Sequence, residues 1–236
     1  QKTASFSDSK KRETNIMDKK EQLKRMREEK ISSKEVYKGI ILDIFVDQVR
    51  LPSGNTSLRE VIRHCHAAAV LAIDENNRVL LEDQFRYPYD DIITEIPAGK
   101  GDEGEDYQIT AARELEEETG YQAGKMEFLG YFYPSVGYTD EKIGIYLATE
   151  LKRKKQHLDE DEVLDYYFLP MEEFEQKIRD GEICDGKTLA AYAYYKARNQ
   201  WIPPFSISQQ REIDLFIILW QKFNIFCQKE NLELHW

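Results

Sequence analysis

The chain has 236 residues, 41% hydrophobic and 33% charged, with a formal net charge of −11. That length buries a sizeable core, as one domain or one domain with an appendage. The acidic balance argues against a broad footprint for nucleic acid but leaves room for a small anion in a local arginine pocket, and no apolar run approaches the roughly 20 residues that span a bilayer.

In chain order, residues 1–34 read as a charged extension. The first 16 are polar and aperiodic, which predicts disorder, and they lack the apolar centre of a secretory signal. DKKEQLKRMREEK then predicts a solvated helix. Residues 35–65 predict a small β unit. VYKGIILDIFVDQVRL is a strand pair or one long bent strand, Pro52-Ser53-Gly54-Asn55 is a turn, and TSLREVIRH is the returning strand. His64, Cys65 and His66 close that unit. On a strand the two histidines face one side and the cysteine the other, so they do not converge on a metal. Cys65, Cys184 and Cys227 are widely spaced and odd in number. They suit a reducing compartment rather than a disulfide framework, and with no leader the expected setting is cytoplasmic.

Residues 66–199 predict the main domain. HAAAVLAID is a buried strand, followed by a turn at Glu75-Asn76-Asn77 and strands in RVLLEDQFRY and IITEIP. A helix over 104–119 leads to strands in MEFLGYFY and KIGIYLATEL, joined by the loop PSVGYTDE. An acidic loop, QHLDEDEVLD, precedes a short strand in YYFLP and helices in MEEFEQKIRDG and KTLAAYAYYKAR. The connections are too short for successive parallel crossovers, which predicts an α/β fold with a mixed sheet and flanking helices. Residues 200–236 carry a Pro pair and IDLFIILWQKFNIFCQ, and read as a C-terminal appendage.

The stretch RELEEETGY, residues 113–121, is unusual. With Leu115 at the centre of the buried face, Tyr107 and Ala111 continue its stripe, and Glu114, Glu117 and Glu118 fall within an arc of about 100° beside it. Glu116 points elsewhere. Glu114 and Glu118 repel as an i,i+4 pair by about 0.2–0.5 kcal/mol. Gly120 suits the position just past a helix end, so the acids crowd the negative end of the helix dipole, at about 0.3–1 kcal/mol each. A divalent cation explains both costs, because Mg²⁺ takes one or two carboxylates together with substrate phosphate oxygens. Before the helix, Gly99, Gly101 and Gly104 form a loop able to approach a ligand closely. Asp102, Glu103 and Glu105 sit near the favourable helix end, and Arg113 is placed to orient a carboxylate.

These residues carry a family pattern. Gly99, Glu105, Arg113, Glu114, Leu115, Glu117, Glu118, Gly120 and Tyr121 satisfy every specified position of G-x5-E-x7-R-E-U-x-E-E-x-G-U, where U is bulky and apolar. The segment resembles the Nudix box. The resemblance implies an α/β/α sandwich that hydrolyses a nucleoside diphosphate linked to another moiety. It implies metal ligation by Glu114 and Glu118, with Glu117 assisting and the Ala98 carbonyl as a further ligand, and Mg²⁺ or Mn²⁺ as cofactor.

EDQFRYPYDDIITEIPAGKGDEGE resembles the ADP-ribose pyrophosphatase branch. That implies ADP-ribose as substrate, phosphate contact by Arg86, and the Glu95-Ile96-Pro97-Ala98-Gly99 entry to the box. An aromatic such as Tyr87 would stack on the base. The N-terminal unit resembles a swapped small domain that forms a homodimer, which puts Arg59 and Glu60 where such a domain supplies substrate contacts. A general base is implied in the acidic loop, at Glu160 or Glu162. The loop after the box departs from the branch: Tyr133-Pro134-Ser135-Val136-Gly137 stands where Ser-Pro-Gly is usual, so its shape can differ. That keeps GDP-mannose or another nucleotide sugar open. A nucleotide-sensing module without turnover is the non-enzymatic alternative.

Overall fold

The computed structural model describes residues 18–157 and 163–199. The disorder expected for the first 16 residues and the appendage after residue 200 lie outside the described residues, as do Glu160 and Glu162.

Helix α1 (Lys19–Met26) has no buried residue, in keeping with its largely charged sequence. Three antiparallel strands follow: β1 (Glu29–Lys38), β2 (Asp43–Arg50) and β3 (Thr56–Arg63), in the order β1-β2-β3. The turn over 52–55 is closed by Leu51 N–H donating to Asn55 O at 2.8 Å, with Gly54 at φ 88°. The small unit begins at Glu29, ahead of the boundary expected at residue 35. EKISSKEVYK is exposed at every position, so it shows no alternation; its strand character comes from backbone pairing with β2.

The main domain is built on β4 (Ala67–Ala72), buried along its whole length. Its odd residues, Ala67, Ala69 and Leu71, join one core cluster and its even residues, Ala68, Val70 and Ala72, join the other. Such two-sided burial is why the strand reads as continuously apolar. β5 (Arg78–Arg86), β6 (Asp91–Glu95), β7 (Ala98–Lys100), β8 (Tyr121–Phe132), β9 (Ile143–Arg153) and β10 (Leu164–Pro170) complete two further sheets, ordered β10-β5-β6 and β7-β4-β9-β8. Among the described strands β4 and β9 form the one parallel ladder, so the sheet is mixed.

Helix α2 (Tyr107–Thr119) packs Ala111 and Leu115 onto one face of the sheet. Helices α3 (Met171–Arg179) and α4 (Gly186–Asn199) bring Phe174 and Ala191 to the other. The result is an α/β/α sandwich. α2 starts three residues later than expected, because Asp106 takes the N-cap and accepts the Gln108 N–H at 2.8 Å. His64, Cys65 and His66 lie in the link between β3 and β4, with Cys65 exposed and the His66 ring 4.5 Å from that of Tyr107.

Candidate active site

The acidic end of α2 forms one wall of a cavity of about 920 Å³. Ala98, Gly99, Arg113, Glu114, Glu117 and Glu118 line that wall. Gly120 terminates the helix at φ 67°, the left-handed conformation expected there. The carbonyls this end leaves over are met by the chain after β9: His157 N–H donates to Glu117 O at 2.9 Å and the Gln156 amide to Glu118 O at 2.6 Å. The carboxylates are thus held at a helix end whose backbone is already satisfied.

Strand β7 places its residues against that end. Ala98 N–H donates to Glu118 Oε2 at 2.9 Å, and Glu118 is only 3% exposed. Gly99 lies so close to Glu114 that a Cβ there would sit 2.1 Å from the carboxyl carbon. Its glycine therefore makes room for a site carboxylate. Gly99→Ala should displace Glu114 and lower kcat by about a hundredfold, in line with a small misplacement of catalytic groups; steady-state kinetics with a thermal melt as control measures this.

Arg113 gathers the acids. It pairs with Glu105 at 3.2 Å, Glu114 at 2.9 Å and Glu117 at 2.8 Å, and donates to Lys100 O at 2.8 Å. Its pKa is raised: burial opposes its charge, but Glu105 and Glu117 outweigh burial. The same hydrogen bonds, with help from Thr110 and the Asp102 N–H, hold the Glu105 carboxyl well below 4.5, at about 2. The stability this contributes is complete above pH 4.5 and is lost as pH falls towards 2. Acid unfolding of wild type and Glu105→Gln should differ above that window and converge at its bottom.

The same cavity is lined by two cations, Arg86 on β5 and Lys187 on α4, both anchored on Glu95. Glu95 is 1% exposed and accepts Arg86 Nε at 2.6 Å. Burial works against the Arg86 charge, yet Glu95 more than offsets it, Glu82 and Glu118 add to the effect, and its pKa is raised.

The Nudix domain model matches residues 63–192, more than half of the chain. The chain belongs to the Nudix hydrolase family. A model of the nucleoside diphosphate sugar hydrolase N-terminal domain matches residues 28–62, the small sheet. The methanol dehydrogenase activator of Bacillus methanolicus is 44% identical over 169 residues, 71% of this chain and 91% of that protein. The ADP-ribose pyrophosphatase of Bacillus subtilis is 38% identical over 75% of this chain and 96% of its own length. The GDP-mannose pyrophosphatase of Yersinia enterocolitica is 35% identical over 58% of this chain and 76% of its own. A solved ADP compounds hydrolase shares the fold, with a TM-score of 0.66, 19% identity, and coverage of 72% of this chain and 93% of that one.

Nudix hydrolases as a family use divalent cations, and the donor set on the α2 wall fits one. Glu114, Glu117, Glu118 and the Ala98 carbonyl are hard oxygen donors on one surface of the cavity. Among the described residues, no three His, Cys, Asp or Glu side chains form a ready-made cage. The physical reason is charge: Arg113 is the cation at hand, so Glu114 and Glu117 turn to it.

The expected substrate residues divide. Arg86 lines the cavity, while Glu95 lies behind it as the shared anchor. Tyr87 does not line the cavity and is 87% exposed; Tyr89 lines it instead. The reason is the turn between β5 and β6, where Tyr89 N–H returns to Arg86 O at 2.9 Å and Asp90 takes φ 52°. Arg59 and Glu60 do not line the cavity, and Arg59 pairs with Glu28 at 2.6 Å. Sequence reasoning missed Lys187 and Asp185. The available signal was Asp185-x-x-Thr188 before an apolar helix, a capping pattern now seen as Asp185 Oδ2 accepting the Thr188 N–H at 2.9 Å.

Proposed function

We propose that the protein hydrolyses the diphosphate of ADP-ribose to AMP and ribose 5-phosphate, with Mg²⁺ as the cation and Mn²⁺ as a substitute. The observation that carries this reading is one cavity lined by the carboxylates Glu114, Glu117 and Glu118 together with the cations Arg86 and Lys187. A diphosphate needs both, a dication held by the carboxylates and direct hydrogen bonds from the cations. Two ADP-ribose pyrophosphatases among the relatives, those of Bacillus subtilis and Mycobacterium tuberculosis at 38% and 36% identity, support the choice of substrate.

Glu114 and Glu118, with Glu117 and the Ala98 carbonyl, would hold the metal, which when bound neutralises the diphosphate and the charge that develops on the leaving phosphate. Arg113 holds the carboxylates in place. Arg86 grips a phosphate while Glu95 keeps its guanidinium directed. A glutamate of the acidic loop, Glu162 or Glu160, takes the proton from the attacking water as the phosphorus–oxygen bridge breaks. Tyr89 or Tyr87 offers a ring to the base.

A homodimer completes the site. Every residue of β1 is exposed, and Ile31, Val36, Tyr37 and Leu58 leave apolar surface on the small sheet. A second copy docked there would bring its Arg59 and Glu60 to the cavity that they do not line within one protomer. The nucleotide substrate and the odd number of widely spaced cysteines suit the cytoplasm.

A panel of ADP-ribose, GDP-mannose and other nucleotide sugars, assayed with and without Mg²⁺, tests the reading. ADP-ribose should be hydrolysed fastest, and only with the cation. GDP-mannose in first place would favour the second reading, for which the altered loop at Pro134 and Val136 is the specific ground. Binding without turnover would select a sensor.

A further inference from the structure

The loop over residues 133–142 joins β8 to β9, and its Pro134 and Glu141 line the cavity. Its far end is not free. Ile62 of β3 forms an isolated parallel bridge with Thr139: Ile62 N–H donates to Tyr138 O at 2.7 Å, and Asp140 N–H returns to Ile62 O at 3.2 Å. Asp140 adds two side-chain contacts, accepting the His64 N–H at 2.9 Å and pairing with Arg63 at 3.2 Å. Arg63 also reaches back to Asp47 of β2 at 3.2 Å, and Asp47 accepts the Ser33 hydroxyl of β1.

These contacts form one line across the molecule, from β1 through Asp47 and Arg63 to Asp140 and the cavity rim. A lone surface ion pair would contribute little. Here the Asp47 side chain is only 6% exposed, so the strut is rooted in a buried group. Its other end stands directly beside two cavity residues, His64 and Glu141, whose side chains approach to 3.9 Å.

We propose that Asp140 and Arg63 are positioning residues: they transmit the placement of the small β1-β2-β3 sheet to the β8–β9 loop, and through it set the affinity of the cavity for substrate. Neither touches the reacting atoms, so the strut acts on binding geometry and leaves the carboxylate wall untouched. The inference rests on the nucleotide-hydrolase reading only for the choice of substrate.

Two measurements on full-length Asp140→Ala, Asp140→Asn and Arg63→Met test it. The first is amide hydrogen exchange. In Asp140→Ala, exchange should accelerate about tenfold or more in peptides covering 61–65 and 133–142 while α2 keeps wild-type protection. The second is kinetics with whichever nucleotide sugar the wild type hydrolyses fastest. KM should rise about tenfold in Asp140→Ala with kcat within about twofold, the pattern of lost binding rather than lost chemistry. Asp140→Asn, which keeps an oxygen for the His64 N–H, should fall between. Arg63→Met combined with Asp140→Asn should be no worse than the poorer single variant, because both break one link. Unchanged exchange, or an unchanged KM, overturns the proposal, as does a fall in kcat that merely follows a fall in Tm. If the wild type hydrolyses no member of the panel, the function reading fails, and the exchange measurement alone decides on the strut.

Discussion

Glu118→Gln is expected to lower kcat by about a thousandfold, the scale of losing a group that stabilises developing charge, while the protein stays folded. The separation of these two effects follows from how Glu118 is held. Its side chain is 3% exposed and its Oε2 accepts the Ala98 N–H at 2.9 Å. A glutamine fits the same space and still offers an oxygen to that N–H. It carries no charge, so the α2 wall loses an anion from the face that would hold a dication. Arg86 also feels the Glu118 charge. Thermal melts should place the variant within about 1 kcal/mol of wild type, as expected when shape and hydrogen bond survive. Near-normal turnover in the variant would remove Glu118 from the chemistry, and a collapsed fold would make it a structural residue.

The part of this site that was legible in the sequence is the part encoded locally. Glu114, Glu117 and Glu118 share a helix face by spacing alone, and Gly120 ends the helix where a left-handed residue is needed. The alanine-rich β4 announced its burial because both its faces are covered. What the sequence hid is set by distant contacts or by backbone direction. Glu95 and Lys187 meet across 92 positions, which no spacing argument reaches. Tyr87 and Tyr89 are equally plausible as letters, and only the turn at Asp90 decides which ring faces the cavity. The first seven residues of β1, 29–35, were missed as strand since a sheet can recruit a polar segment through its backbone alone.

The same distinction explains why the acids at the end of α2 are tolerated. Their electrostatic cost is real, but three kinds of group offset it within the chain. Arg113 engages Glu114 and Glu117, the Ala98 N–H engages Glu118, and the 154–157 segment satisfies the helix-end carbonyls. The carboxylates are therefore held on the cavity wall by the chain's own groups, and Glu114 and Glu117 would exchange Arg113 for a dication when one binds.

Glu95→Gln is expected to cost both stability and affinity, which sets it apart from Glu118→Gln. Glu95 is 1% exposed and holds Arg86 and Lys187 at once. Removing its charge leaves two neighbouring cations with one anion fewer between them. Lys187, whose side chain is 12% exposed, keeps Asp185 at 3.3 Å, while Arg86 keeps the fields of Glu82 and Glu118. Breaking a buried pair from one side costs about 3 kcal/mol, so urea unfolding should shift by that order. The carboxamide offers one oxygen where the carboxylate offered two, so Arg86 and Lys187 are no longer both held, and KM should rise about tenfold with a smaller change in kcat. Lower stability with an unchanged KM would assign Glu95 to the fold alone. A raised KM at full stability would mean that Asp185 and the surrounding acids already neutralise both cations, leaving Glu95 the task of aiming Arg86.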